Sequence, residues 1–261
     1  MLRYAFMQRA FLVGLVFAVI LPALGLIMVL KRLSMVGDAL SHISLAGVAA
    51  GLLMGINPIA GAVLVSIFAG LSIEWLRRRI AGYEELSIAL IMSFGVGLAG
   101  VLSGFVPSAG SFHQYLFGSI VSITIGETVF ILVLSVAVML LYFYFYPELM
   151  IYAFDEERAK LMHVRRDVLS FVFTILTAVT VAVASKIIGA LLVSSMMVIP
   201  VTCALRLSSS FKKTLLVAIA FAAAFVVAGL TLSYYYALRP GGTIVLIGIL
   251  AVVLVFSLKR K

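Results

Sequence analysis

The chain has 261 residues, of which 64% are hydrophobic and only 11% are charged, whereas an ordinary globular domain has about 25% charged residues. This composition excludes a soluble domain and predicts an integral membrane protein. The net charge of +9 does not indicate nucleic-acid binding, because the basic residues lie in short clusters between apolar runs, as topology signals do. With one cysteine, Cys203, an intramolecular disulfide is excluded.

Apolar runs recur along the whole chain at the length of about 20 residues that a helix needs to cross a hydrocarbon core of about 30 Å. A transmembrane β-barrel would instead show alternating strands. We therefore predict an all-α, polytopic integral membrane protein with a single transmembrane domain over residues 1–261 and eight or nine transmembrane helices. Nine spans are predicted, at about residues 10–30, 38–55, 58–77, 86–105, 126–146, 167–186, 188–206, 214–235 and 242–258.

Basic residues mark every second predicted loop. The positive-inside rule places these loops in the cytoplasm. The C-terminus is therefore predicted on the cytoplasmic side of the plasma membrane and, with nine spans, the N-terminus on the outer side. Arg3 and Arg9 oppose this placement of the N-terminus, a conflict that a short interfacial segment at the start of the chain would remove. The basic clusters are Lys31-Arg32, Arg77–Arg79, Arg158 to Arg166, Arg206 to Lys213 and Lys259–Lys261.

An acid and an imidazole stand inside the second apolar run. In a helix, Asp38 and His42 lie four residues apart on one face, where their side chains can hold one cation. Ionisable residues within spans are rare and mark ion pathways. The alternative is structural: Asp38 caps the N-terminus of a helix and His42 hydrogen-bonds a neighbouring backbone group.

Two further acids, Glu84 and Glu85, stand directly before the fourth predicted span. Glu85 lies about as far beyond its preceding basic cluster as Asp38 lies beyond its own. At a helical rise of about 1.5 Å per residue, the sequence predicts that Asp38, His42 and Glu85 converge. Nitrogen and oxygen donors without a thiolate suit zinc, manganese or ferrous iron, and fit copper(I) poorly. The alternative for the two glutamates is a first helical turn that faces water and the nearby arginines.

The longest charged interval, residues 147–167, is the main predicted cytoplasmic loop. Its segment from Phe154 to Met162 carries acids first and bases later, and it has an apolar side. This order matches the helix dipole and predicts a short amphipathic helix that docks on a partner protein, with a solvated loop as the alternative.

The loop 106–124 lacks Lys and Arg and is predicted to form the outer vestibule, where His113 is either a solvated histidine or a relay for metal.

Motifs for nucleotide hydrolysis or covalent catalysis are absent from the sequence. It contains no glycine loop of the form GxxxxGK[ST] and no catalytic serine, cysteine or zinc-protease signature. The chain is therefore predicted to be a transport protein that does not hydrolyse ATP itself, rather than an enzyme. Two other mechanisms remain open: a proton-coupled transporter that uses Asp38 and His42 as a proton relay, and a permease for metal chelates, which needs a wide, neutral path.

Four blocks of the sequence resemble the permeases of metal-ion ABC importers, the family that takes up zinc, manganese or iron. The resemblance covers nearly the whole chain, and the second and fourth blocks are the most specific. It implies the ABC importer permease fold and an alternating-access mechanism. The blocks are Phe6–Ala10, Lys31–His42, Tyr115–Ile120 and Gly189–Pro200.

This resemblance also implies the site residues and the partners. The intramembrane metal contacts would be Asp38, His42 and Glu85, and residues 154–164 would form the coupling helix on the ATPase. A homodimer in membrane lipid is expected, with two copies of a cytoplasmic ABC ATPase subunit and an extracytoplasmic metal-binding protein. No permanently bound cofactor is expected, since the divalent metal ion is cargo. The predicted ATPase contacts are Phe154, Asp155, Glu156, Glu157, Arg158, Leu161 and Met162.

Overall fold

The computed structural model describes residues 4–80, 83–106, 118, 124–154 and 166–258. Within these residues every regular element is a helix, which confirms the all-α prediction. We number ten helices in chain order: α1 (Ala5–Leu30), α2 (Ser34–Leu53), α3 (Pro58–Arg79), α4 (Glu84–Ser103), α5 (Ile125–Tyr144), α6 (Tyr146–Phe154), α7 (Arg166–Ile188), α8 (Ala190–Leu207), α9 (Phe211–Tyr236) and α10 (Pro240–Leu258).

Eight of the described helices are long and apolar enough to cross a membrane: α1 to α5, α7, α9 and α10. A shorter apolar stretch, Leu192–Leu207, lies in α8. The prediction of eight or nine transmembrane helices is therefore confirmed, and the protein is a multi-pass membrane protein.

The predicted span 126–146 corresponds to α5, and a short helix that the sequence did not predict follows it. α5 ends at Tyr144, and the short helix α6 begins at Tyr146 with Pro147 in its first turn. Proline lacks a backbone N–H and disrupts a helix interior, but it fits the first turn, where that donor has no helical partner. A new helix therefore starts at this position.

Burial separates inner helices from peripheral ones. Buried residues make up 72% of the apolar window in α1 and in α2 and 67% in α7, but only 22% in α4 and in α10. The core is apolar and is formed largely by α1, α7, α8 and α9, and α2 is as buried as α1. Asp38 and His42 therefore stand on one of the innermost helices of the bundle.

The turn between α7 and α8 lies inside the bundle rather than at its surface. Ile188 and Ala190 are buried, and Gly189 between them has a φ of 105°, which other residues rarely adopt. Gly118, with a φ of 72°, packs on this turn so closely that a Cβ at Gly118 would overlap the backbone of Ile188 and Gly189. Gly118 of the third sequence block therefore meets the start of the fourth block at this turn, and α8 starts below the surface.

An ion pair fastens α7 to α5 next to this turn. Nζ of Lys186 contacts Oε1 of Glu127, and both side chains are largely buried. Glu127 also closes a capping box, since its carboxylate accepts from the backbone N–H of Thr124 while its own N–H donates to Oγ1 of Thr124. Neither charged residue stands out in the sequence, because the two are 59 positions apart.

Candidate functional site

Asp38 and His42 lie together on one face of α2. The helix begins at Ser34 with Leu33 as its N-cap, so Asp38 stands within the helix and does not cap it. The structural alternative for Asp38 is therefore wrong. Nε2 of His42 lies 3.8 Å from Oδ1 of Asp38, with side-chain exposures of 23% and 31%.

The separation of these two atoms suits a shared cation. A distance of 3.8 Å is too long for a hydrogen bond. Two ligands of one transition-metal ion, each about 2.0–2.2 Å from it, are separated by a comparable distance. Both side chains are also partly exposed, so an ion can reach them. The Asp38–His42 pair can therefore hold one ion without a large movement of α2.

A hydroxyl group from α8 reaches the same carboxylate. Oγ of Ser194 donates to Oδ1 of Asp38 at 3.2 Å. The helices approach closely here because Gly37 has no side chain: a Cβ on Gly37 would lie 3.2 Å from Sδ of Met197. The second and fourth sequence blocks thus meet at the site. Sequence reasoning missed Ser194 as a site residue, although it had marked the block that contains it.

Buried serines hold α2 in place around the pair. The hydroxyl of Ser41 donates to the carbonyl of Asp38 at 2.8 Å, and that of Ser44 donates to the carbonyl of Ser41 at 2.6 Å. The hydroxyls of Ser44 and Ser185, on α2 and α7, lie 3.1 Å apart. The Ser44–Ser185 contact links α2 to α7, whereas the other two bonds satisfy buried hydroxyls within α2, so these groups are not offered as further ligands.

Glu85 is placed apart from the pair in this structure. It lies in the first turn of α4, where it is exposed. Among the residues that the structure describes, no three His, Cys, Asp or Glu side chains form a group that could hold a metal ion. The structure therefore brings Asp38 and His42 together but does not bring Glu85 to them, and a metal contact at Glu85 stays a prediction.

The predicted ATPase-contact segment is described only at its first residue. Phe154 is the last residue of α6, it is 63% exposed, and its ring packs edge-to-face on Phe211 with the centroids 5.9 Å apart. The other predicted contacts and His113 lie outside the described residues. These other contacts are Asp155, Glu156, Glu157, Arg158, Leu161 and Met162.

Comparison with known proteins places the chain in a family. The model of the ABC 3 transport family matches residues 3–259. The chain is 36% identical over 262 residues to the "Probable metal transport system membrane protein" of Treponema pallidum (strain Nichols), covering 100% of this chain and 98% of that protein. It is also 27% identical to the "Manganese transport system membrane protein MntC" of Listeria monocytogenes, covering 100% of this chain and 93% of that protein.

A solved structure has the same fold. PsaBC from Streptococcus pneumoniae, in complex with a Fab, matches with a TM-score of 0.88 and 25% sequence identity, covering 97% of this chain and 91% of the matched chain. This similarity confirms the permease fold that the sequence blocks implied. The chain belongs to the ABC 3 transport family, and it is the membrane permease of an ABC transporter rather than an enzyme.

Proposed function

We propose that this permease imports divalent transition-metal ions, namely zinc, manganese or iron, by ATP-driven alternating access. The observation that carries this proposal is the Asp38–His42 pair, 3.8 Å apart on an inner helix and contacted by Ser194. A mixed oxygen and nitrogen set accepts each of these ions, and the imidazole disfavours magnesium, which prefers oxygen ligands. The printed names of the relatives, metal and manganese transport proteins, support the same class of cargo.

Each residue of the site has a distinct proposed role. The carboxylate of Asp38 offsets the cost of ion dehydration, and the imidazole of His42 adds selectivity. The hydroxyl of Ser194 holds the carboxylate in position from α8. Glu85 joins the pair in another state of the transport cycle, when α4 moves relative to α2. Coordination is transient, since a site that bound the ion too tightly would not release it.

The permease is proposed to act as a homodimer with two cytoplasmic ABC ATPase subunits and an extracytoplasmic metal-binding protein. Membership of the ABC 3 transport family supports this assembly, as does the lack of a phosphate-binding loop in the sequence. The ATPase is proposed to contact residues 154–164. Movement driven by the ATPase then enters the permease at its cytoplasmic end. As a result, the intramembrane site changes from facing one side of the membrane to facing the other.

Uptake by the complete complex in proteoliposomes tests the function. We expect ATP-dependent accumulation of at least one of Mn²⁺, Zn²⁺ and Fe²⁺, each measured by elemental analysis with Mg²⁺ as the negative control. Accumulation driven by a proton gradient in ATPase-free liposomes would favour the proton-coupled transporter. Uptake of a metal chelate but not of the free ions would favour the chelate permease. Either result contradicts the proposal.

The basic end of the bundle is proposed to face the cytoplasm. Lys31, Arg77 and Tyr152 of α6 lie close together at one end, as the positive-inside rule requires of these loops. We predict that a cysteine at Ser209 reacts with a membrane-impermeant maleimide only after permeabilisation, whereas a cysteine at Ile56 reacts in intact cells. The native Cys203 is buried and gives little background. Reversed labelling would contradict the orientation.

We predict that Ser194→Ala raises the metal concentration for half-maximal uptake about tenfold. A hydrogen bond to a charged group contributes about 1.5–3 kcal/mol, and its loss leaves the Asp38 carboxylate less well oriented. Uptake at increasing metal concentrations measures the effect. The neighbouring variant Ser195→Ala is the matched control and should change uptake less than about twofold. Equal effects of the two substitutions would show that the contact with Asp38 is not used.

We predict that Leu161→Asp uncouples ATP hydrolysis from transport more severely than Glu157→Ala. Burying an apolar side chain of this segment against the ATPase contributes about 1.5–3 kcal/mol, whereas an exposed ion pair contributes about 0–1 kcal/mol. ATP hydrolysis and metal uptake are measured together in the reconstituted complex, and metal binding should persist in both variants. Full coupling in Leu161→Asp would mean that the ATPase docks elsewhere.

A further inference from the structure

A cation–aromatic contact joins the short helix α6 to the turn that leads into α2. Nζ of Lys31 lies 3.1 Å from the centroid of the Tyr152 ring, well within the range of this interaction. Lys31 is the C-cap of α1, and Ser34 begins α2 three residues later. We propose that Tyr152, acting through Lys31, is a positioning residue that passes movement of α6 to the metal-binding helix α2. This inference rests on the proposed function.

α6 is held on two sides near the predicted ATPase contact. Leu149 and Tyr152 are 1% and 2% exposed and form the buried face of the helix. On another side, Tyr146 and Phe154 pack edge-to-face on Phe211, with centroid distances of 5.8 and 5.9 Å. The chain passes directly from Phe154 into the segment that is proposed to contact the ATPase. A displacement of that segment therefore moves α6, and Tyr152 with it.

The turn on the other side of the contact is short and tightly bonded. The N–H of Leu33 donates to the carbonyl of Met28 at 2.7 Å, and the N–H of Arg32 donates to the carbonyl of Val29 at 3.1 Å. Arg32 has a φ of 59°, a left-handed conformation that is unfavourable for a residue with a side chain. Such a turn has little freedom to absorb movement. A displacement of Lys31 is therefore passed to the start of α2, one turn before Asp38.

A small cavity gives Tyr152 room to move. Its volume is about 20 Å³, enough for about one water molecule. Glu74 on α3 also lines the cavity, and it forms ion pairs within its own helix, with Arg77 at 3.1 Å and with Arg78 at 3.0 Å. The lining includes Leu33, Val36, Ile73, Glu74, Tyr152 and Ser170. The free space therefore lies among Tyr152, α3 and the start of α2.

Four substitutions separate this role from ordinary packing. Tyr152→Phe keeps the aromatic face and Tyr152→Leu removes it, while both remain apolar. Lys31→Arg keeps a cation and Lys31→Met removes it at nearly the same length. If Tyr152 only filled the core, leucine would largely replace it, whereas leucine cannot form a cation–aromatic contact. If Lys31 only set the topology, its effect would not depend on the ring of Tyr152. The proposal therefore requires that the two positions act together.

The experiment measures the metal ions imported per ATP hydrolysed by the complete complex in proteoliposomes. We expect Tyr152→Leu and Lys31→Met each to lower this ratio at least about fivefold, and the double variant to be no worse than either. Tyr152→Phe and Lys31→Arg should stay within about twofold of the wild-type ratio. The yield of assembled complex and metal binding to the purified permease are measured alongside, and both should be unchanged.

Two results would overturn the inference. In the first, Tyr152→Leu and Lys31→Met stay fully coupled while the wild-type complex imports metal, which leaves the proposed function intact. In the second, the two effects multiply in the double variant, which shows that the residues act independently. If Tyr152→Leu lowers the yield of the assembled complex, the ratio measured for Lys31→Met decides whether the contact is used for coupling, because Lys31 lies on the partly exposed side of the contact. If the wild-type complex imports no metal, the proposed function itself fails.

Discussion

Asp38→Asn and His42→Ala are each expected to lower ATP-driven metal uptake at least about 100-fold, since loss of even an outer-shell partner of a metal ligand costs about 10–100-fold. Asparagine has nearly the shape of aspartate but lacks the charge that offsets ion dehydration. Alanine removes the imidazole nitrogen that faces Oδ1 of Asp38 at 3.8 Å. Uptake is measured in proteoliposomes that contain the complete complex.

The controls for this experiment separate the site from the scaffold. Both variants should insert into the membrane and associate with the ATPase at wild-type levels, because the two side chains are partly exposed and lie outside the apolar core. Ser72→Ala is the matched control, since its hydroxyl is exposed and donates to the carbonyl of Phe68 within α3. Normal uptake by both site variants would refute the metal site.

Gly118→Ala is expected to destabilise the folded permease by at least about 2 kcal/mol. The substitution forces alanine into a φ of 72°, and its Cβ would overlap the backbone of Ile188 and Gly189 in the buried α7–α8 turn. A left-handed backbone conformation at a residue other than glycine and overpacking each cost about 1–3 kcal/mol. The measurement is the midpoint of thermal unfolding of the detergent-solubilised protein, followed by size-exclusion chromatography.

A second glycine in α4 provides the matched control for this prediction. Gly97 is exposed, and no neighbouring atom lies within 4 Å of the position of an added Cβ. Gly97→Ala should therefore leave the stability of the folded permease unchanged or raise it by up to about 1 kcal/mol, because alanine is the better helix former. Both substitutions replace glycine with alanine, but their effects on the stability of the folded permease should have opposite signs. A similar unfolding midpoint for both would show that Gly118 does not pack on the turn.

The helical spans follow from the sequence because the membrane imposes them. Lipid offers no hydrogen-bond partners, so each apolar run of sufficient length must satisfy its backbone within itself. The predicted end of the fifth span at residue 146 agrees with Tyr144 to within two residues, but the start of a new helix at Tyr146 did not follow, although Pro147 was visible. Proline is tolerated within the membrane helices of this protein, as Pro22 in α1 shows, so the residue type alone does not predict a boundary.

The candidate site was partly visible in the sequence, for a local reason. Asp38 and His42 are four residues apart, and helical geometry alone places them on one face. The partner hydroxyl of Ser194 lies 156 positions away, and no periodicity connects it with Asp38. Comparison of depths along the spans predicted that Glu85 converges on the pair. In this structure the acid is exposed on a peripheral helix, because depth says nothing about which way a helix face turns.

The sequence by itself determined the class of protein, its helical spans and the Asp38–His42 pair, because hydrophobicity and helical periodicity act over a few neighbouring residues. Only the tertiary structure decided that α8 contacts Asp38, that the α7–α8 turn is buried beneath Gly118, and that Lys31 lies on Tyr152. These contacts depend on how whole helices cross one another. Helix crossings are set by many weak packing interactions between distant segments, which no local pattern records.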